Sequence, residues 1–123
     1  MSGNSFVLDT NIVLYLLSGN TTVAEIVDGS QCYISFITQL ELLGYKDISS
    51  KEQQKVKAFL VDCIIVDITE EIKKNTIALK QKYQIKLPDS IIAATAQFLE
   101  IPLLTADKGF IKLSGLNIAL YQE

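Results

Sequence analysis

A chain of 123 residues with 49% hydrophobic content suits one compact domain with a substantial core. The chain contains neither histidine nor arginine, which excludes a serine–histidine–aspartate triad, a cysteine–histidine pair, paired-histidine ribonuclease chemistry and histidine-ligated zinc. Its net charge of −3 argues against binding nucleic acid through bulk charge, and any acid–base or metal chemistry must rely on carboxylates.

The sequence shows no pattern typical of secretion or membrane insertion. The opening residues lack the basic segment and long apolar stretch of a signal peptide, and no apolar run approaches the roughly 18 residues of a membrane span. Cys32 and Cys63 show neither a CxxC pairing nor a metal-ligand spacing, so we expect two buried free thiols. We therefore expect a soluble, cytoplasmic protein with no membrane partner.

Apolar, β-branched runs alternate with helical patterns along the chain. The runs typical of strands are residues 5–9, 32–36, 63–68, 102–106 and 117–121. The patterns typical of helices are residues 21–28 before Gly29, 50–60 behind a capping box of Ser49 and Glu52, 69–83, and 88–100 with Pro88 in the first helical position. Strands that alternate with helices and lack a solvated face favour a mostly parallel sheet covered on both sides. The sequence therefore predicts an α/β, doubly wound fold as a single domain over residues 1–123.

Three aspartates are predicted to lie at one edge of this sheet. Asp9 ends the first strand and Asp107 follows the strand 102–106, so both project from the carboxyl edge, where such sheets bind ligands. Asp89 lies in the first turn of the helix that precedes the strand 102–106, and a right-handed crossover begins that helix at the same edge. Ile92 follows Asp89 at helical spacing, which places the carboxylate over the inward face.

Glu41 is the fourth acidic candidate, and each of the four also has a simpler structural interpretation. Glu41 flanks the apolar face of a helix that follows the second strand, so it either reaches the edge or is an ordinary solvated charge. Asp9 is equally placed to cap the next helix, Asp89 to complement a helix dipole, and Asp107 to form a turn. The convergence of all four on one edge favours the functional interpretation.

Four carboxylates at one edge would repel one another, and each would raise the pKa of its neighbours unless cations neutralised them. Oxygen ligands without histidine or thiolate select Mg²⁺ or Mn²⁺. The sequence therefore predicts a site for one or two divalent cations at this edge.

Four segments of the sequence carry a family resemblance. They are "LDTNIVLYLL", "ITQLELL", "LPDSIIAATA" and "PLLTADKGF". In order and spacing they resemble the acidic motifs of the PIN-domain ribonucleases, most closely the short VapC-type toxins of type II toxin–antitoxin systems. The resemblance covers nearly the whole chain, and no acidic motif position is missing.

This resemblance implies a PIN-like fold, with a parallel sheet of strand order 3-2-1-4-5 and helices on both faces. It implies divalent-metal-dependent hydrolysis of RNA phosphodiester bonds by an endoribonuclease. The residues that it assigns to metal binding and catalysis are Asp9, Glu41, Asp89 and Asp107. Asn11 and Thr105 match polar positions that help to order the site and its waters.

The resemblance further implies a cognate antitoxin protein that covers the acidic groove, and a homodimer. Because the chain has no arginine, lysines must supply the contacts with RNA phosphates. The candidate contacts are Lys46, Lys86, Lys108 and Lys112. Any single one of these lysines is also compatible with an ordinary solvated surface.

Three alternative functions are compatible with parts of the sequence. A receiver-like signalling domain would use Asp67, which also ends a predicted strand, with Asp9 beside it, but the expected paired acids and lysine–proline sequence are missing. A haloacid-dehalogenase-like phosphatase would use the "DTN" segment, although Asn11 stands where a second acid is needed. A PIN fold used only for binding RNA or a partner protein is the third alternative.

Overall fold

Five strands and six α-helices lie within residues 4–122, which are the residues that the computed structural model describes, and a pair of helices connects each of the first three strands to the next. The strands are β1 (Ser5–Leu8), β2 (Gln31–Ser35), β3 (Ile64–Val66), β4 (Leu103–Thr105) and β5 (Ile118–Leu120). The helices are α1 (Thr10–Leu17), α2 (Thr21–Val27), α3 (Phe36–Leu43), α4 (Ser50–Val61), α5 (Glu70–Lys82) and α6 (Leu87–Leu99). A 3₁₀ turn spans Lys108–Phe110. The ends of the predicted domain, residues 1–3 and residue 123, lie outside the described residues.

The strands form one parallel sheet in the order β3-β2-β1-β4-β5. This confirms the predicted α/β fold and its strand order. β1 lies at the centre, where Val7 pairs with Leu103 of β4 and Phe6 pairs with Cys32 of β2. Because every neighbouring pair of strands is parallel, the carboxyl ends of all five strands lie at the same edge of the sheet.

Two apolar layers cover the faces of this sheet. Successive strand residues point to opposite faces, so Val7 and Leu103 pack into one layer while Leu8 and Leu104 pack into the other. Helices α5 and α6 supply the first layer, and helices α1, α2 and α4 supply most of the second. The central strands are thereby shielded from water on both sides, which explains their continuous apolar sequence.

Helix α6 begins one residue earlier than the sequence pattern suggests. Lys86 is its N-cap, so Leu87 takes the first helical position and Pro88 takes the second. Its C-cap, Glu100, adopts a left-handed conformation with φ of 55°, and Pro102 follows two residues later. The capping box at the start of α4 is present as predicted, because the Ser49 side chain accepts from the Glu52 backbone and the Glu52 side chain accepts from the Ser49 backbone.

Both cysteines are free thiols, although they lie half-buried and not fully inside the core. Burial raises the pKa of Cys63 to about 12 and also raises the pKa of Cys32. The two thiols therefore stay protonated near neutral pH, where they are poor nucleophiles. Among the described residues, no helix is both long and apolar enough to cross a membrane.

Candidate active site

The four acidic candidates line a single cleft at the carboxyl edge of the sheet. Asp9 lies directly after β1, Asp107 lies two residues after β4, Glu41 lies on α3 and Asp89 lies in the first turn of α6. The cleft has a volume of about 280 Å³. Its lining residues are Asp9, Thr10, Asn11, Glu41, Lys86, Pro88, Asp89 and Asp107.

Asp9 is the most deeply buried of these acids, with 4% of its surface exposed. One carboxylate oxygen, Oδ1, accepts a hydrogen bond of 2.8 Å from the backbone N–H of Thr10, which makes Asp9 the N-cap of α1. The other oxygen, Oδ2, accepts a hydrogen bond of 2.7 Å from the Thr105 hydroxyl. Asp9 therefore both caps α1 and lines the cleft. Its two hydrogen bonds fix the orientation of the carboxylate.

Thr105 connects two of the acids. Its fully buried hydroxyl donates to Asp9 and accepts a hydrogen bond of 3.0 Å from the backbone N–H of Asp107. Because Thr105 is the last residue of β4, the bond joins the ends of two neighbouring strands. Thr105, which the family resemblance predicts to help order the site, thus contacts both Asp9 and Asp107.

Thr10 performs a similar task on the other side of the cleft, which the sequence pattern did not indicate. Its hydroxyl donates a hydrogen bond of 2.8 Å to Glu41 Oε1. The Thr38 hydroxyl lies 3.0 Å from the same oxygen atom of Thr10 and acts as the donor, because Thr10 has only one hydroxyl proton. Glu41 is an exposed residue held toward the cleft by this contact between α1 and α3.

Asp107 and Asp89 are held less tightly. Asp107 is exposed, and its Oδ1 accepts a hydrogen bond of 2.8 Å from the backbone N–H of Gly109, which forms the turn anticipated from the sequence. Asp89 is half-buried, and within residues 4–122 its carboxylate accepts no hydrogen bond. The oxygens of Asp89 are therefore the most available to a ligand.

The electrostatics of the cleft match a crowded group of carboxylates. The pKa of Asp9 is raised to about 6, chiefly by burial and to a smaller extent by the carboxylates of Asp89 and Asp107, against the opposing effect of its two hydrogen bonds. The pKa of Asp89 is raised by burial and then by the carboxylates of Asp107 and Glu41, while Lys86 opposes the shift. Neighbouring carboxylates thus disfavour the ionisation of Asp9 and Asp89, which is the condition that a bound cation relieves.

The remaining candidate residues lie in the acidic cleft, beside it or away from it. Asn11 and Lys86 line the cleft, and Lys112 lines an adjoining cleft together with Asp89 and Asp107. Lys108 follows Asp107 directly and begins the 3₁₀ turn. Lys46 lies in the loop between α3 and α4, and it is not among the residues that line either cleft.

The position of Asp67 counts against a receiver-like site. Asp67 follows β3, which the strand order separates from β1 by β2. A receiver-type sheet has the order 2-1-3-4-5, in which the first and third strands are neighbours. Here the Asp67 carboxylate accepts a hydrogen bond of 2.9 Å from the backbone N–H of Ile68, and Asp67 is not among the residues that line the cleft.

The donor set of the cleft fits a hard divalent cation. It consists of carboxylates, amide and hydroxyl oxygens, with no thiolate or imidazole. Within residues 4–122, however, no three acidic, histidine or cysteine side chains are grouped so that they hold an ion by themselves. Mg²⁺ commonly keeps several waters and binds proteins through only one or two carboxylates together with substrate phosphates, so an open arrangement suits it.

Sequence comparison gives the family context of this cleft. The PIN domain family matches residues 6–116, which include all four acids. Among proteins of curated function, none matches the sequence significantly.

Several solved structures with the same fold come from toxin–antitoxin complexes. A chain of a toxin–antitoxin complex from Klebsiella pneumoniae shares 33% identity and a TM-score of 0.79, with 93% of this chain and 95% of that chain covered. VapBC-1 from nontypeable Haemophilus influenzae shares 25% identity and a TM-score of 0.81, with coverages of 94% and 97%. VapBC2 from Rickettsia felis, solved with a DNA fragment from its promoter, shares 22% identity and a TM-score of 0.84, with coverages of 96% and 99%.

Proposed function

The chain belongs to the PIN domain family, whose members are generally nucleases, and on this basis we propose that it is a divalent-metal-dependent endoribonuclease. The observation that carries the proposal is the convergence of Asp9, Glu41, Asp89 and Asp107 on one cleft in a chain that has no histidine. Carboxylates are the only side chains in this cleft that both bind hard cations and accept protons near neutral pH.

We further propose that the protein is the toxin of a toxin–antitoxin pair. The similarity to the toxin–antitoxin complex from Klebsiella pneumoniae extends over nearly the full length of both chains, which supports this role. The expected partner is a cognate antitoxin that covers the acidic cleft, and the protein is expected to form a homodimer. An enzyme acting on cellular RNA in this way would work in the cytoplasm.

The residues of the cleft have separate tasks in the proposed reaction. One or two Mg²⁺ or Mn²⁺ ions would supply a coordinated water of lowered pKa and would offset the charge of the phosphate. Asp9, Glu41, Asp89 and Asp107 are the proposed ligands. Thr105 and Thr10 orient Asp9 and Glu41 through hydrogen bonds, so these two carboxylates are positioned before any ligand arrives.

Asp89 has the most freedom among the four acids. Its carboxylate is half-buried and has a raised pKa, and Lys86 lies near enough to lower that pKa. These properties suit a group that binds the cation or holds a proton at the reacting phosphate, because its oxygens are not committed to other partners. Lys86 lines the same cleft and is placed to contact a phosphate oxygen.

The deciding experiment compares cleavage of structured and unstructured RNAs by purified protein in Mg²⁺, Mn²⁺ and EDTA. An Asp89→Asn variant of equal thermal stability is tested in parallel, because it separates loss of chemistry from loss of folding. Metal-dependent cleavage that Asp89→Asn abolishes supports the proposal. No cleavage, or equal cleavage by the variant, would leave a PIN fold that only binds RNA or a partner, or a contaminating nuclease, as the better account.

A further inference from the structure

Two further clefts adjoin the acidic cleft. The first, of about 190 Å³, shares Lys86, Asp89 and Asp107 with it and is bordered by Lys112. The second, of about 800 Å³, follows the chain from Lys80 to Lys86. Lys86 lines all three clefts, so the three adjoin one another at this residue.

The lysines of these clefts are part of a strong charge asymmetry in the chain. Residues 4–71 contain ten acidic residues and four lysines, whereas residues 72–122 contain three acidic residues and seven lysines. Within residues 72–88 there are five lysines and no acid, and no acid follows Asp107 up to residue 122. We refer to Lys80, Lys82, Lys86 and Lys112 as the lysine strip.

No lysine of the strip forms a salt bridge with a carboxylate of the described residues, although Lys86 lies near enough to Asp89 to lower its pKa. Within the described residues, the one salt bridge joins Lys73 to Glu70, outside the strip. Lys80 Nζ donates a hydrogen bond of 2.7 Å to the carbonyl of Ile85, and Lys112 Nζ donates one of 2.9 Å to the carbonyl of Gln84. These partners are uncharged, so the positive charge of both ammonium groups remains available to an anion.

The same contacts hold the loop between α5 and α6 in place. Lys80 of α5 and Lys112, which follows the 3₁₀ turn, donate to consecutive carbonyls of the loop, and the Tyr83 hydroxyl donates a hydrogen bond of 3.0 Å to Ser114 Oγ. Lys82 Nζ lies 5.4 Å from the centre of the Tyr83 ring and donates a bond of 3.3 Å to Ser114 Oγ. The Tyr83 ring packs against the core, so these contacts anchor Lys82 and the loop to the body of the protein.

We propose that the lysine strip binds the phosphates of a single-stranded RNA segment that extends from the acidic cleft, an inference that rests on the function proposed above. The strip begins at Lys86, at the wall of the cleft where the scissile phosphate would lie. A polynucleotide carries its negative charges at regular intervals along a chain, which matches positive groups distributed along a path. The strip therefore gives this acidic protein a local binding surface for a polyanion that its net charge would repel.

The test is the salt dependence of RNA binding by the full chain. Fluorescence anisotropy with a short labelled single-stranded RNA is measured in EDTA and in Ca²⁺ over a range of salt concentrations, with the integrity of the RNA checked on gels. The test variant is Lys82→Gln with Lys112→Gln, and the matched control is Lys51→Gln with Lys57→Gln on α4. A Lys82→Arg, Lys112→Arg variant keeps the charge and reveals any purely structural effect.

Each lysine that contacts a phosphate of a single strand contributes about 0.7 to the slope of log affinity against log salt. We expect the test variant to lose about 1.4 from this slope and to bind roughly fivefold more weakly per lysine at about 0.1 M salt. The α4 control and the arginine variant should retain both slope and affinity. This pattern would support the lysine strip as the path of the RNA.

Three other results would overturn the inference in distinguishable ways. If the test and control variants bind RNA alike while cleavage remains metal-dependent, the RNA follows another path and the proposed function stands. If the test variant loses affinity for a polyglutamate peptide but not for RNA, the strip binds an acidic protein segment. If the wild-type protein neither binds nor cleaves RNA, the proposed function itself fails, and this inference fails with it.

Discussion

The Thr105 hydroxyl donates a 2.7 Å hydrogen bond to Asp9 Oδ2 across the boundary between two adjacent strands. Both residues are buried, and they are separated by 96 positions in the sequence. The bond places a carboxylate at the floor of the acidic cleft in one fixed orientation. It also links the position of Asp9 to that of Asp107, whose backbone N–H donates to the same hydroxyl.

Replacing Thr105 with valine should destabilise the protein. The change preserves the shape of the side chain, but leaves Asp9 Oδ2 and the N–H of Asp107 without their partner, which costs about 1–3 kcal/mol of unfolding free energy. Urea denaturation near neutral pH measures the loss. Thr105→Ser keeps the hydroxyl and should lose less, and equal stability of the valine variant and the wild type would contradict this account.

The stability of the metal-free protein should decrease as Asp9 ionises. Its pKa is about 6 in the folded state against 3.8 for an ordinary aspartate, so the folded state binds the proton more tightly than the unfolded state. The corresponding stability is fully present below about pH 4 and is lost as the pH rises through 6. The raised pKa of Asp89 adds an effect of the same sign.

This pH effect can be isolated by comparing the wild type with Asp9→Asn in EDTA. Between about pH 4.5 and 7.5 we expect Asp9 to account for roughly 2 kcal/mol of lost unfolding free energy, which the variant cannot show because an amide does not titrate in this range. Denaturant unfolding at several pH values gives the slope of unfolding free energy against pH for each protein, and the difference between these two slopes is the contribution of Asp9. Parallel pH profiles would show that Asp9 titrates normally in the folded protein.

Divalent cations should stabilise the folded protein if the cleft binds them. A ligand that binds only the folded state at about 100 times its dissociation constant adds approximately 2.7 kcal/mol. We expect Mn²⁺ and Mg²⁺ to raise the melting temperature, EDTA to reverse the change, and Asp89→Asn to reduce it strongly. An Asp62→Asn variant, altered at the C-cap of α4, should respond like the wild type. No cation-induced shift in the wild type would count against a metal site.

Thr10 should act as a positioning residue for Glu41. Thr10→Val removes the hydrogen bonds to Glu41 and Thr38, while Thr10→Ser keeps the hydroxyl. Partners that orient metal ligands typically contribute 10–100-fold in metal affinity or activity, and we expect a loss of this order in Thr10→Val. Isothermal titration with Mn²⁺ and the cleavage rate both measure it, and Thr10→Ser should restore most of the loss. If the two variants bind Mn²⁺ equally, the hydroxyl does not orient Glu41.

The positions of Asp9 and Asp107 were the most predictable parts of the site. Each follows a short apolar strand, and the parallel arrangement brings the carboxyl ends of β1 and β4 side by side. Asp89 required one more step, the hand of the crossover, but the periodicity of its helix showed that it faces inward. The α/β class followed from local patterns, because the central strands are mostly apolar and the helices carry recognisable caps, whereas the strand order was implied by the family resemblance.

The contact between Thr10 and Glu41 was not predictable in this way. It depends on the distance between α1 and α3, which is set by packing between residues 31 positions apart. The first residue of α6 was missed for a local reason, since proline is compatible with the second helical position as well as the first. Lys46 looked like the other candidate lysines in sequence, and only the course of the loop after α3 shows that it does not line the acidic cleft.

The lysine strip adjoins the acidic cleft, so the charge at this surface changes sign over a short distance. A polyanion is therefore repelled by the net charge of the molecule yet attracted to the side that carries the strip. An approaching polyanion would therefore exert a torque that turns this side toward itself before contact. Collisions in which this side faces the polyanion would therefore occur more often than the net charge suggests. Added salt would weaken this preference for one orientation.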